Sequence, residues 1–120
     1  MSTLKLDTLS NKAGTASVPS DTIVSGTAKA WVNFDGQGTV SIRESFNVSS
    51  ITDVGTGTYY VNWTNVFAGE YITTVGGGSS TYNTGASPST TTYCTVLNRN
   101  DAGTYTDPSV LCAVAFGVLA

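Results

Sequence analysis

The chain has 120 residues, five of them basic, eight acidic and none histidine, for a net charge of −3. That balance excludes a Ser-His-Asp or Cys-His catalytic centre, a His-containing zinc site and the basic footprint of a nucleic-acid binder. Thr, Ser, Gly and Asn make up 55 residues and only 13 are charged, which predicts a single all-β unit with neither cofactor nor catalytic role.

Met1 to Asp7 lacks the apolar run of a secretory leader, and no stretch reaches the ~20 apolar residues of a membrane helix. Synthesis in a cytoplasm and no membrane insertion are therefore expected. Leu4 and Leu6 flank Lys5 and read as a short strand. Residues 10–27 hold Gly14, Pro19, Gly26 and many Ser and Thr, the composition of an extended arm, with Asp21 to Val24 as a short strand inside it. Division of the chain into an arm over 1–25 and a knob over 26–120 follows.

From Ala28 the alternation sharpens. Ala28, Ala30, Val32 and Phe34 share one side of a strand. Asp35-Gly36-Gln37-Gly38 is a hairpin turn. The return strand puts Val40, Ile42, Glu44 and Phe46 together, and Glu44 on an apolar side requires a partner or an edge position. After a turn at residues 53–57, Tyr59, Val61 and Trp63 alternate with Tyr60, Asn62 and Thr64. Residues 67–75 predict another strand. The polar stretch from Gly76 to about Pro88 offers nothing to a core and reads as a surface loop. Thr91 to Leu97 is a strand, 98–103 a turn, and Val110 to Val118 the last strand.

In that last strand Val110, Cys112, Val114, Phe116 and Val118 lie on one face, and Leu111, Ala113 and Ala115 on the other. A strand apolar on both faces is covered on both. Either another layer of this chain or a second subunit supplies the cover, and the short sequence favours the subunit. Cys94 and Cys112 are either a cross-strand disulfide or, as cytoplasmic synthesis favours, two reduced buried thiols.

Trp31 and Trp63, with Tyr59 and Tyr60, have the chemistry of a sugar-stacking platform, but both tryptophans sit in patterned strands, which favours packing. Tyr82, Asn83, Asn98, Arg99, Asn100 and Tyr105 fall in loops and have the make-up of a binding surface. Asp35, Asp53 and Asp101 each open a Gly-containing turn and lack calcium-loop spacing, so turn chemistry accounts for them and no metal is expected. Nothing pairs Glu44 or Glu70 with another carboxylate as a glycosidase would require. The sequons at Asn47 and Asn62 are idle under the expected synthesis in a cytoplasm.

The segments Gly-Thr-Ala-Lys-Ala-Trp-Val-Asn-Phe-Asp-Gly at 26–36, Gly-Thr-Val-Ser-Ile-Arg-Glu-Ser-Phe-Asn-Val-Ser-Ser-Ile-Thr-Asp at 38–53 and Gly-Thr-Gly-Thr-Tyr-Tyr-Val-Asn-Trp-Thr at 55–64 resemble a module of bacteriophage tail-fibre proteins, common among marine phages. The opening Met-Ser-Thr-Leu-Lys-Leu-Asp-Thr-Leu and the closing Ser-Val-Leu-Cys-Ala-Val-Ala-Phe-Gly are similar to the ends of such proteins. The resemblance implies a homotrimeric, all-β virion component: a β-sandwich or jelly-roll-like knob on an extended N-terminal arm. On that basis Leu4, Leu6 and Leu9 are expected to contact other virion proteins (tail hub, fibre or capsid). Val110, Leu111, Cys112, Ala113, Val114, Phe116 and Val118 are expected to form the trimer interface. Tyr82, Asn83, Asn98, Arg99, Asn100 and Tyr105 are expected to meet a host-surface glycan or protein. The implied function is host attachment by a tail fibre or tail tip; a head fibre, cement or decoration protein on the capsid is the alternative.

Overall fold

Among the described residues, the computed structural model places eight strands of the knob in two antiparallel four-stranded sheets, and alternating apolar residues on four of them build most of the core between the sheets. Residues 1–78, 82–88 and 90–120 are described; for Tyr82, Asn83 and Pro88 the description covers the backbone alone. The arm carries β1 (Thr8–Ser10), β2 (Ser17–Pro19) and α1 (Ser20–Gly26). The knob comprises β3 (Ala30–Asp35), β4 (Ser41–Phe46), β5 (Val48–Gly55), β6 (Thr58–Trp63), β7 (Ile72–Gly77), β8 (Tyr82–Pro88), β9 (Tyr93–Asn100) and β10 (Leu111–Phe116). One sheet runs β4-β3-β10-β7 and the other β5-β6-β9-β8.

The two sheets enclose one core. Val32, Phe34, Leu111, Ala113 and Ala115 come from the first sheet, and Tyr59, Val61, Trp63, Cys94 and Val96 from the second. Phe67 and Tyr71 close one end, with stacked rings 4.2 Å apart and Trp63 edge-on to both. Tyr71 Oη accepts the Trp63 Nε1–H and lies 2.7 and 2.9 Å from the carbonyls of Tyr93 and Thr90, so the ring system is buried without an orphan polar atom. The sandwich expected from the sequence is present. A jelly roll winds successive strands between its sheets, whereas here β3–β4, β5–β6 and β8–β9 are hairpins within one sheet.

Four expectations are corrected. First, no strand forms at Leu4–Leu6, because the arm's hairpin pairs Thr8 with Pro19 and Ser10 with Ser17. Second, Asp21 to Val24 is helical. Asp21 complements the helix N-terminus, while Lys29 Nζ bonds the Val24 carbonyl and Thr27 Oγ1 the Ile23 carbonyl, so end-group chemistry outweighs the β-branched side chains. Third, the predicted loop over 76–88 holds the end of β7 and all of β8. The latter pairs along β9 from Tyr82↔Asn100 to Pro88↔Cys94 through backbone groups that its small polar side chains do not advertise. Fourth, Glu44 does not share a side with Ile42. Glu44 pairs with Asn33 and Ile42 with Phe34, leaving Arg43 as the extra residue of a β-bulge. The bulge turns Glu44 outward on an edge strand, while Arg43 bonds Asp35 at 2.9 Å.

Candidate functional site

The knob has two distinct ends. Lys29 N–H donates to the Ala115 carbonyl, so the arm joins where β3 starts and β10 finishes. Strand β3 then runs to Asp35 at the opposite end, where Gly36 N–H donates to the Pro108 carbonyl and Tyr59 Oη lies 3.1 Å from the Gly36 carbonyl. Tyr59 pairs with Val96, and β9 continues from there to Arg99, which therefore sits at the end away from the arm.

That far end rests on a buried polar frame. Asp107 Oδ1 accepts the Tyr59 O–H at 2.7 Å and the Gly57 N–H at 2.6 Å. Burial, reinforced by the hydrogen bond to Asp107, pushes the Tyr59 phenol well above its ordinary pKa. Gly57 has φ +64°, and a Cβ there would lie 2.5 Å from the Asn98 carbonyl oxygen, so only glycine fits. Asn98 is 0% exposed; its Nδ2 donates to the Thr106 carbonyl at 2.9 Å, and its Oδ1 accepts from Thr84 Oγ1. The expectation that Asn98 meets a ligand is thus overturned, because its polar atoms are used inside the fold. Asn100 is likewise occupied: Oδ1 accepts the Thr104 N–H and its backbone closes the turn to Gly103.

Arg99 and Tyr105 remain on the surface. The guanidinium lies 4.5 Å from the Tyr105 ring centre, with Nη2 2.5 Å from its hydroxyl, and no carboxylate pairs with it among the described residues. Beside it runs an open groove of about 310 Å³, lined by Thr84, Gly85, Leu97 and Arg99. The expected contacts of the Tyr82 and Asn83 side chains lie outside the described residues; their backbones pair with Asn100 and Arg99.

The second candidate surface is the outer face of the β4-β3-β10-β7 sheet. Of the residues expected at an interface, Leu111 and Ala113 are buried in the knob's own core and are unavailable, which corrects that part of the expectation. Cys112, Val114 and Phe116 alternate outward, half-buried, and Val118 beyond them is exposed. Val114 pairs with Trp31, Trp31 with Phe46, and Phe116 with Ile72, so one apolar band crosses all four strands. Phe46 is 54% and Ile72 69% exposed. Val110 is half-buried, its carbonyl accepting from Gly78 N–H. The third is the arm, whose Leu4, Leu6 and Leu9 are all exposed and which contributes no buried residue.

The cysteines are free. Cys94 is buried among apolar neighbours, which pushes its thiol up to about 12, whereas Cys112 is only half-buried on the outer face of the other sheet. The aromatic platform also separates: Tyr59 and Trp63 are core, Trp31 is on one outer face, and Tyr60 stacks on Tyr93 on the other sheet. No group of three acidic or thiol ligands gathers among the described residues, and no helix is long and apolar enough to cross a membrane.

No family model, curated protein or solved structure matches this chain. Sequence reasoning missed Thr84, Gly85 and Leu97, because the groove exists only once β8 lies beside β9. It also missed Phe46, Trp31 and Ile72 as partners of the last strand. The outward alternation of Trp31 and Ile72 was a usable signal, whereas regular alternation put Phe46 on the side of Ile42 and only the bulge at Arg43 turns it outward; strand order was needed to join the three.

Proposed function

We propose that this chain is a fibre-type virion protein, a tail-fibre or tail-tip component that attaches the particle to its host as a homotrimer. The polarity of the molecule carries this reading. An arm with exposed Leu4, Leu6 and Leu9 leaves one end of the knob, and the surface pair Arg99–Tyr105 occupies the other. Such a layout suits anchoring at one end and recognition at the far end. The apolar band through Phe46, Trp31, Val114, Phe116 and Ile72 supports the trimer, because a sheet face of this kind is stabilised when a second copy covers it. Three sites on one rigid trimer gain avidity from effective concentration.

Electron microscopy of intact particles tests the location. An arm entering a tail hub or fibre supports attachment; an arm seated on the capsid lattice replaces it with a head-fibre or decoration role. Purified protein should bind a permissive host and not a resistant one, and equal behaviour toward both overturns the attachment reading. Sedimentation at the 12.4 kDa chain mass overturns the trimer.

A further inference from the structure

We infer that the groove beside Arg99 is a subsite for an acidic saccharide, one sugar ring presenting a single carboxylate to the guanidinium. This deepens the attachment reading and rests on it. The Arg99 charge has no carboxylate partner among the described residues, although the chain is acidic overall. Its side chain is held in advance: the Tyr105 ring lies under the guanidinium and the Tyr105 hydroxyl bonds Nη2. A planar, positioned fork matches a carboxylate in two hydrogen bonds and loses little freedom on binding.

The other arginine, Arg43, is paired with Asp35, and Lys5, Lys12 and Lys29 belong to the arm or its junction. A single cation without a carboxylate partner among the described residues suits one singly charged group better than a doubly charged phosphate. The rest of the groove suits a sugar. Gly85 is exposed with nothing within 4 Å of where a Cβ would stand, and it pairs with half-buried Leu97, so bare backbone and an apolar side chain form a floor for a pyranose C–H face. Thr58 pairs with Leu97 from the other side and Thr95 lies two residues along β9, both on the same outer face, so hydroxyl-bearing residues border that floor. At about 310 Å³ the groove is near the small end of ligand sites, roughly 300–1,000 Å³. A peptide adding a strand there is disfavoured because β7 packs against β8 along that corner.

The test is calorimetry on the full chain with a panel of uronate oligosaccharides (galacturonate, glucuronate, mannuronate) and their neutral counterparts (galactose, glucose, mannose). At least one uronate should bind saturably, and its neutral counterpart about tenfold or more weaker. Arg99→Gln should weaken that uronate by a similar factor, with Arg99→Lys intermediate. Gly85→Val fills open space and should also abolish binding while thermal unfolding is not lowered. No uronate binding, equal binding of the neutral sugar, or unchanged affinity in both Arg99→Gln and Gly85→Val overturns the site. Cell attachment separates the two readings. Attachment that survives Arg99→Gln removes this site and leaves the attachment role. Arg99-dependent uronate binding without attachment to any host keeps the site and removes that role.

Discussion

Asn98 and Arg99 are neighbours on β9 with opposite fates, and a strand's alternation is the reason. Asn98 points into the frame built with Thr106, Thr84 and Gly57, while Arg99 points to solvent. Asn98→Ala should therefore destabilise the knob by about 1–3 kcal/mol, since it leaves the Thr106 carbonyl unpaired. Arg99→Ala should stay within roughly 0.5 kcal/mol. Urea unfolding of the two variants checks the contrast. Tyr59 and Cys94 set the alkaline limit. Both hold their protons more tightly folded than unfolded, so their stabilisation is complete below the ordinary values of 9.0 for the thiol and 10.0 for the phenol. It is lost as pH rises beyond them. Stability should be flat through neutral pH and fall steadily above about pH 9. Tyr59→Phe, which removes one titrating group, should lower stability at neutral pH and make the alkaline fall shallower in pH-dependent urea titrations.

Strand β4 shows what an element can hide. Read as a regular strand, it puts Glu44 beside Ile42; with Arg43 bulged, Glu44 faces water. Deleting Arg43 should straighten β4 while Glu44 stays opposite Asn33 and Ile42 opposite Phe34, so Glu44 still faces water and only the exposed Arg43–Asp35 pair is lost, a cost within about 1 kcal/mol by urea unfolding. Strand β7 contains the opposite case: Thr73 Oγ1 is buried with no hydrogen-bond partner among the described residues. Thr73→Val keeps the shape, removes that cost and favours a strand, so thermal unfolding should rise by a few degrees, on the order of 1 kcal/mol. Both features follow from pairing between strands. Hydrophobic alternation located β3, β6 and both faces of β10 correctly, because their inward residues are large and apolar. It failed at β8, where Thr84, Gly85, Ala86 and Ser87 are held by backbone bonding to β9.

At the scale of the whole molecule, the proposed trimer makes the two thiols report different events. Cys112 lies in the outer band between Trp31-bearing β3 and Ile72-bearing β7, whereas Cys94 is in the core. Cys112 should react with a thiol reagent when the oligomer dissociates, and Cys94 only when the knob unfolds. Val114→Glu should yield folded monomers by sedimentation with Cys112 exposed from the start. Folded, unchanged trimers from that variant would place the interface elsewhere. By itself the sequence determined the class: few charges, no histidine, alternating strands around Phe34, Tyr59, Val61 and Trp63, and a core-free arm. Those properties depend on composition and on the two-residue period of a strand, which are local. Tertiary structure alone decided the bulge at Arg43, the burial of Asn98, the apolar band and the groove at Gly85. Each of these depends on which strand lies beside which, and side-chain pattern along one strand carries no record of its neighbour.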